Sequence, residues 1–520
     1  MYAALFALAA CFRFLALKNG FVNDHFVYIS GGRQMLFGEW PTRDWIDPGL
    51  PLMFAASALA QKVFGQTLFA EAMLVSLAFG LAAAFTAATV RQLTGSMILA
   101  LVAALFEIAI FPRTYSYPKI VAYAFEFWLY GRYVMRPNRA RLMAMAAGAA
   151  LAFMFRHDHG LFLGAGAVLT ILLAHEPKAW AASLREAMIF ATCFLILVLP
   201  YLIYVQVYGG LWLYVRNGIE FSRREAARQW HVWPRVFGDE RPWESALVYE
   251  LYLLPIIALV SLVAARANWR SAASRIVPLG VVALLVDFFF IRDPLGTRLA
   301  DAVVPAVVLG SWLIARACTA GSARALTIPL ALVFTILMAA SVLTVGSTYD
   351  EIDRAGLLGH RQEIPHRFVE RTADLRSQFI DYQMPTTVSR RMIPFFQYVD
   401  RCTAPDDRLL IGGFLVEVPF YSRRLFAAGQ EYFGAYFTSE ANERFAFDRL
   451  RHQSVPFVVL PSDQLADFDE AFPLVASWVR PRYVPLTEVA IDDEETIHIL
   501  VSRDLNGAPR DRETGWPCFQ

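Results

Sequence analysis

The sequence predicts a polytopic α-helical membrane protein with about eleven transmembrane helices, followed by a soluble α/β domain. Three observations carry this. Of 520 residues, 57% are hydrophobic, and the mean hydropathy of +0.42 exceeds that of ordinary soluble proteins. Only 18% are charged, and these cluster between long apolar runs. After about residue 347 charges become frequent and turn residues appear. The 41 Phe, 20 Tyr and 12 Trp suit aromatic belts at two membrane surfaces. The formal net charge of +1 offers no basic footprint, which argues against a nucleic-acid partner.

A spanning helix needs about 20 apolar residues. Candidate spans lie near 1–17, 66–90, 97–112, 119–135, 142–155, 160–175, 186–207, 246–265, 276–291, 299–315 and 325–346. Residues 1–17 read as an anchor helix rather than a cleaved signal, since no basic residue precedes Arg13. That segment is short for a span, so the start is expected upstream. Residues 50–64 are apolar but short and read as a surface-lying or partly inserted helix.

Orientation follows from basic residues in short loops. Arg91, then Arg132, Arg136, Arg139 and Arg141, then Lys178 and Arg185, then Arg266, Arg270 and Arg275, then Arg316 and Arg324 occupy alternate loops almost without acids. Those loops read as cytoplasmic. The opening loop and the C-terminal region then face outward, which in a bacterial inner membrane means the periplasm.

The domain reading is a membrane module over 1–346 with a first outward loop at 18–65, a charged linker at 347–390, an outward α/β sandwich at 391–505 and a tail at 506–520. Within the sandwich, "DDRLLIGG" (406–413), "PFVVLP" (456–461) and "IHILVS" (497–502) read as buried strands. Stretches near 390–402, 438–452 and 462–478 read as helices. Gly412-Gly413 lacks the spacing of a dinucleotide fingerprint. Five scattered cysteines form no CxxC pair, which argues against a zinc site or a disulfide framework.

Ionisable groups at membrane depth are expensive, so those near span ends mark candidate chemistry. The opening loop carries Asp24, Glu39, Asp44 and Asp47, with His25 beside Asp24 and Tyr28 one helical turn on. It reads either as a solvated, turn-rich loop or as the seat of a carboxylate that takes a proton from a hydroxyl. "FPRTYSYPKI" (111–120) brackets two tyrosines with Arg113 and Lys119, two cations able to clamp a phosphate or touch headgroups. "FRHDHG" (155–160) packs Arg156, His157, Asp158 and His159 between two apolar segments. Adjacent residues point in different directions, which disfavours a metal site there and leaves a structural Asp–Arg or Asp–His pair, or contact with a charged substrate. The loop 216–241 joins Arg216, Arg223, Arg224, Arg228, Arg235 and Arg241 to Trp230 and Trp233, with Trp243 following. It reads as an interfacial helix or a lid over a lipid. "RDPLGTR" (292–298) adds Arg292, Asp293 and Arg298.

Asp24-x-x-x-Tyr28 followed by Leu36-x-Gly38-x-x-Pro41-x-x-Asp44 resembles the opening loop of GT-C membrane glycosyltransferases, in the style of the protein O-mannosyltransferase and lipid A aminoarabinose transferase group. The resemblance covers the layout of the chain and about thirty residues of motif. It implies an inverting transfer of sugar from a polyprenyl-phosphate donor to an acceptor glycan, lipid or protein, with Asp24 as general base. It implies no organic cofactor. Two departures stand out. His25 occupies a position where many members carry an acid, and the chain reads Asp47-Pro48-Gly49-Leu50-Pro51 where a lysine is often found. The phosphate charge must therefore be met elsewhere, and chemistry points to Arg113, Lys119 and Arg156. Other GT-C branches use a divalent metal with several acids, which Asp44, Asp47 and Asp158 leave open. His25, Tyr28, His157 and His159 complete the expected substrate contacts. The rival readings are a polytopic transporter or lipid flippase, and a silent scaffold whose C-terminal domain binds a partner. Transporters usually bind near the midplane and often carry repeats. Here polar clusters gather at one face, and no repeat is visible.

Overall fold

In the computed structural model, the residues described are 1–17, 21–47, 49–176, 179–228, 242–263, 269–290, 300–319, 324–344, 347–357, 363–377, 390–434, 439–491, 495–505 and 508–519. Every one of the eleven expected spans falls on a helix. Five helices are long and apolar enough to cross a membrane: Leu68–Thr94, His157–Ala174, Trp180–Tyr208, Trp269–Phe289 and Ala300–Cys318. Tyr2–Ala16 and Met97–Ala109 are apolar but shorter. Tyr117–Met135 carries Lys119, Glu126 and Arg132 along its length.

Trp180–Tyr208 shows what solvent these helices expect. Its apolar window is 17% buried, and Met188, Ile196, Ile203 and Val207 are each more than half exposed. A helix apolar all round with its side chains bare is stable only against lipid. Ala300–Cys318, in contrast, is 78% buried and sits inside the helical unit.

The chain divides into two compact units. The first comprises Met1–Leu17, Val75–Tyr204 and Ala226–Arg367. Here Trp269–Phe290 packs on His157–Ala174, which packs in turn on Arg139–Phe155. Small residues allow the close approach. A Cβ at Gly160 would lie 2.2 Å from the Phe153 Cα, so only glycine permits the tight reversal at Arg156.

The second unit joins Lys18–Leu74, Val205–Glu225 and Phe368–Gln520. Residues 18–65, expected as a loop of the membrane module, thus cluster with the C-terminal region. They hold two helices, Asp24–Leu36 and Pro51–Phe64, packed on each other. Gly31 makes this possible: a Cβ there would lie 2.4 Å from the Phe54 ring. Gly31 and Gly32 are contact points between these two helices.

The C-terminal part is built on a five-stranded sheet. Its strands are β1 (Arg408–Ile411), β2 (Leu425–Phe426), β3 (Phe457–Pro461), β4 (Tyr483–Ala490) and β5 (Thr496–Ser502), in the order β2-β1-β3-β5-β4. β1 runs parallel to β2 and β3, while β5 is antiparallel to β3 and β4. All five residues of β3 are buried, as expected for a central strand covered on both faces. The expected strands and helices are present, and β2 and β4 are additions. β2 is two residues long and β4 has only Tyr483 buried, with Pro485 among its exposed positions, so neither carried an apolar run to announce it.

Cys402 and Cys518 form a disulfide across 116 positions, a pairing that the scattered cysteines of the sequence left open. A bridge between residues so far apart leaves no spacing pattern to read. The tail packs beside it: Tyr398 rings against Trp516, Phe457 against Phe519, and the Phe519 N–H donates to the Cys402 carbonyl at 2.8 Å.

Candidate functional site

In the second unit, Asp24 opens the helix Asp24–Leu36 and is partly exposed. A carboxylate in the first turn complements the positive end of the helix. The preceding Asn23 holds a φ of 49°, which turns the chain sharply into the helix.

His25 points the other way. It is fully buried, and its Nε2 pairs with Glu71 Oε2 at 3.1 Å. The Ser57 hydroxyl donates to the other oxygen of Glu71. Gln61 Nε2 donates to the Ile29 carbonyl at 2.9 Å and to Ser57 Oγ at 3.1 Å. This network binds three helices together, so the expected substrate contact by His25 gives way to an internal hydrogen bond with Glu71. Tyr28 is buried too, with its ring 6.1 Å from both His25 and Phe54.

Asp44 accepts from the Trp40 N–H at 2.8 Å and from Arg43 Nε at 2.7 Å, with Arg449 at 3.5 Å. Asp47 accepts from the N–H groups of Gly49 and Leu50 at 2.8 and 2.9 Å, which holds the turn into Pro51–Phe64. The Tyr214 hydroxyl donates to its second oxygen at 3.2 Å.

A residue the sequence did not announce joins these acids. The Ile46 N–H donates to the Gly429 carbonyl at 3.0 Å, which brings the strand-following segment alongside the loop. Two residues on is Glu431. Burial, then the negative charges of Asp47 and Asp24, push its carboxyl well above the usual range. Its Oε1 is closed to solvent and has no partner among the described residues.

In the first unit, Arg13 fixes the 111–119 turn. Its guanidinium donates to the Pro112 carbonyl at 2.6 Å and stacks 3.7 Å from the Phe111 ring centroid. Thr114–Ser116 forms a short turn of 3-10 helix, and Pro118 preorganises the start of Tyr117–Met135. Lys119 on that first turn is buried and ion-paired with Asp301. Arg113 bonds the Tyr115 hydroxyl.

"FRHDHG" supplies the rest. Arg156 breaks the helix, and its Nε lies 3.0 and 3.2 Å from the two oxygens of Asp158. The His159 N–H donates to Asp158 Oδ1 at 2.8 Å, and its ring Nδ1 meets the Tyr123 hydroxyl. His157 faces away, stacked on Phe153 at 4.2 Å with Nδ1 2.8 Å from the Phe153 carbonyl. The charges of Asp158, Arg156, Lys119 and Asp301 all act on His159, and that of Arg113 acts on Asp301. Arg113, Lys119, Arg156, Asp158 and His159 therefore form one cluster. With Asp301 included, its three cations face two carboxylates, an excess of positive charge suited to a phosphate.

Asp301, Tyr123 and Glu71 were missed by reading the sequence. All three fall inside expected spans, and an ionisable or hydroxylated side chain in an apolar run is itself the signal. Glu431 had no such signal. Among the described residues, no three His, Cys, Asp or Glu side chains are disposed to hold a metal ion. The helix Leu211–Arg228 carries Trp212, Val215 and Ile219 exposed, with Arg216, Arg223 and Arg224 beside them. Arg235, Arg241, Trp230, Trp233 and the "RDPLGTR" segment lie outside the described residues, as does the side chain of Trp243.

No family model matches the sequence, and no curated protein matches it. The chain is similar to solved structures of ArnT. Crystal structures of ArnT from Cupriavidus metallidurans, one bound to undecaprenyl phosphate and one in the apo state, align at 16% identity with a TM-score of 0.49. Each alignment covers 95% of this chain and 97% of that one.

Proposed function

We propose that the chain is an integral membrane glycosyltransferase of the inner membrane of a bacterium. It moves a sugar from a polyprenyl-phosphate donor to an acceptor hydroxyl on a glycan, lipid or protein, on the outer face and with inversion. The observation that carries this reading is the cluster of Arg113, Lys119 and Arg156 at membrane-helix ends, with its cations in excess over Asp158 and Asp301. A departing lipid phosphate gains negative charge as the glycosidic bond breaks. Fixed cations sheltered from water stabilise that charge more than solvent would. Arg113 and Arg156, both partly exposed, are placed to meet the phosphate, and Lys119 backs them.

Asp24 is the proposed base. An alcohol is a weak nucleophile, and a carboxylate that removes its proton late in the displacement lowers the barrier. Asp47 is held by a turn and by Tyr214, which suits it to orient the acceptor. Burial first, and then Asp47 and Asp24, push the Glu431 carboxyl up, which favours a protonated acid able to donate a hydrogen bond to an acceptor. In this scheme the arginines and lysine supply the positive charge, and no cofactor enters; a divalent ion remains a testable addition.

The Cys402–Cys518 bridge favours an oxidising compartment for the C-terminal domain, in accord with the basic residues of the opposite loops. Native mass spectrometry of lipid retained by the purified protein tests the function directly. A bound polyprenyl-phosphate sugar is expected. Bulk phospholipid alone, with no transfer from such a donor, sinks the reading.

A further inference from the structure

Three side chains on the C-terminal sheet play no part in sugar transfer. Ser462 opens the helix Ser462–Ala471 directly after β3. Its Oγ lies 3.0 Å from Nε2 of His498, and His498 Nδ1 lies 3.2 Å from Oε1 of Glu488.

The sheet register builds this line. Glu488 and His498 are paired directly across β4 and β5, so they stand on one face. His498 also pairs with Leu460 on β3, and the chain leaves that strand at Pro461 to place Ser462 within reach. Alternation along β5 does the rest: Ile497, Ile499 and Val501 are buried, while His498 and Leu500 are part-exposed on the opposite side. A hydroxyl, an imidazole and a carboxylate in series are a nucleophile, its base and the group that orients the base.

The Ser462 hydroxyl has a second acceptor, the Thr496 carbonyl at 2.9 Å. It carries one proton, and rotation about Cβ–Oγ moves that proton from the carbonyl to an unprotonated Nε2. The first-turn N–H groups of Ser462–Ala471 have no intrahelical acceptor and begin at the nucleophile itself, which puts donors beside a developing oxyanion. Leu460 and Gln464 stand at the two positions where the G-x-S-x-G turn of α/β-hydrolases carries glycines. The site is open rather than a deep elbow. Ser462 and His498 are half-buried and Glu488 is 64% exposed, which fits a small acyl group presented at a surface.

We propose that Ser462, His498 and Glu488 form a second catalytic site that hydrolyses short-chain carboxylic esters. Ser462 Oγ bonds to the acyl carbon as its proton passes to His498 Nε2. The carbon–alkoxy bond then breaks, and the leaving alcohol takes that proton. Water attacks the acyl-serine and gives a proton to Nε2, and the serine oxygen leaves with it. The products are the carboxylic acid and the alcohol. Glu488 Oε1 accepts from Nδ1–H throughout.

The test uses the full-length protein in detergent, p-nitrophenyl acetate as substrate and a fluorophosphonate as serine probe. Peptide mass spectrometry should find the phosphonate on Ser462. Ser462→Ala should remove both labelling and hydrolysis. His498→Ala leaves the serine in place and should lower both by at least about 100-fold. Glu488→Gln should lower hydrolysis by about 10-fold, since an exposed carboxylate is partly screened. Ser462 left unmodified in the intact protein, or equal hydrolysis by the parent and a folded Ser462→Ala or His498→Ala protein, overturns the proposal.

Discussion

The opening loop and the 111–159 cluster look alike in the sequence, each a knot of charge in an apolar chain, but they use that charge differently. In the loop most of the acid is structural. Glu39 accepts from Arg408 at 2.7 and 3.2 Å, from Arg449 at 3.1 Å and from Gln34 at 2.8 Å. Asp44 shares Arg449. Trp45, 1% exposed, packs on Phe54 and Phe426. These contacts fasten the loop to the C-terminal sheet. In the 111–159 cluster Lys119 is buried on Asp301, while Arg113 and Arg156 stay partly exposed and bond close neighbours in sequence, Tyr115 and Asp158. Charge density alone therefore does not mark chemistry. What differs is the reach of the pairing: Glu39 and Asp44 are held by arginines some 400 positions on, whereas Arg156 pairs with Asp158 two residues away.

The sharpest way to break the comparison is within the loop itself. Asp24→Asn keeps the shape and removes the base. It should lower sugar transfer by about 100- to 10,000-fold in a polyprenyl-phosphate-sugar assay while the melting temperature holds. Glu39→Gln should do the reverse, with stability lower by about 1–3 kcal/mol and transfer changed little. Normal transfer by Asp24→Asn would move that residue into the fastening class.

The cluster yields the next largest effect. Lys119→Ala leaves Asp301 buried without its counter-charge and should destabilise the protein by about 3–5 kcal/mol in thermal unfolding. Lys119→Ala combined with Asp301→Ala should regain much of that stability yet still bind donor weakly. Recovery of donor affinity along with stability would show that the lysine only balances the aspartate. The disulfide comes next. Cys402→Ser should cost about 2–4 kcal/mol, read as a lower denaturation midpoint without reductant.

Much of this was legible beforehand, for identifiable reasons. Apolar runs announced the helices because lipid-facing segments must be hydrophobic on every side, as Trp180–Tyr208 shows. Arg113, Lys119, Arg156, Asp158 and His159 drew attention because an ionisable group beside a span is expensive, and the structure shows their charges acting on one another. The helix Asp24–Leu36 was hidden by Ser30-Gly31-Gly32, a poor helix sequence that tertiary packing against Phe54 overrides. The partner of His25 was hidden because Glu71 sits 46 positions away inside an apparent span. Glu431 was hidden altogether: nothing local distinguishes it, and its character comes first from burial and then from Asp47 and Asp24, some 400 positions earlier.

The smallest expected effect tests whether the C-terminal tail is fastened in the manner of the loop. Asp511 accepts from the Thr514 hydroxyl at 2.8 Å and N–H at 3.0 Å, and from Arg401 at 3.2 Å. The Thr514 hydroxyl first, and then Arg401, pull its carboxyl down to about 2. A depressed carboxylate stabilises the folded tail above its unfolded value near 4 and loses that contribution as pH falls through the folded value. Hydrogen exchange at the Thr514 amide should thus stay protected at pH 5, relative to the intrinsic rate, and lose protection between about pH 4 and pH 2. Asp511→Asn should abolish that pH dependence while the Cys402–Cys518 bridge keeps the tail near its helix. A protection profile flat across the same range in the parent protein would mean that the bridge and the Trp516 and Phe519 ring contacts hold the tail without help from its charge.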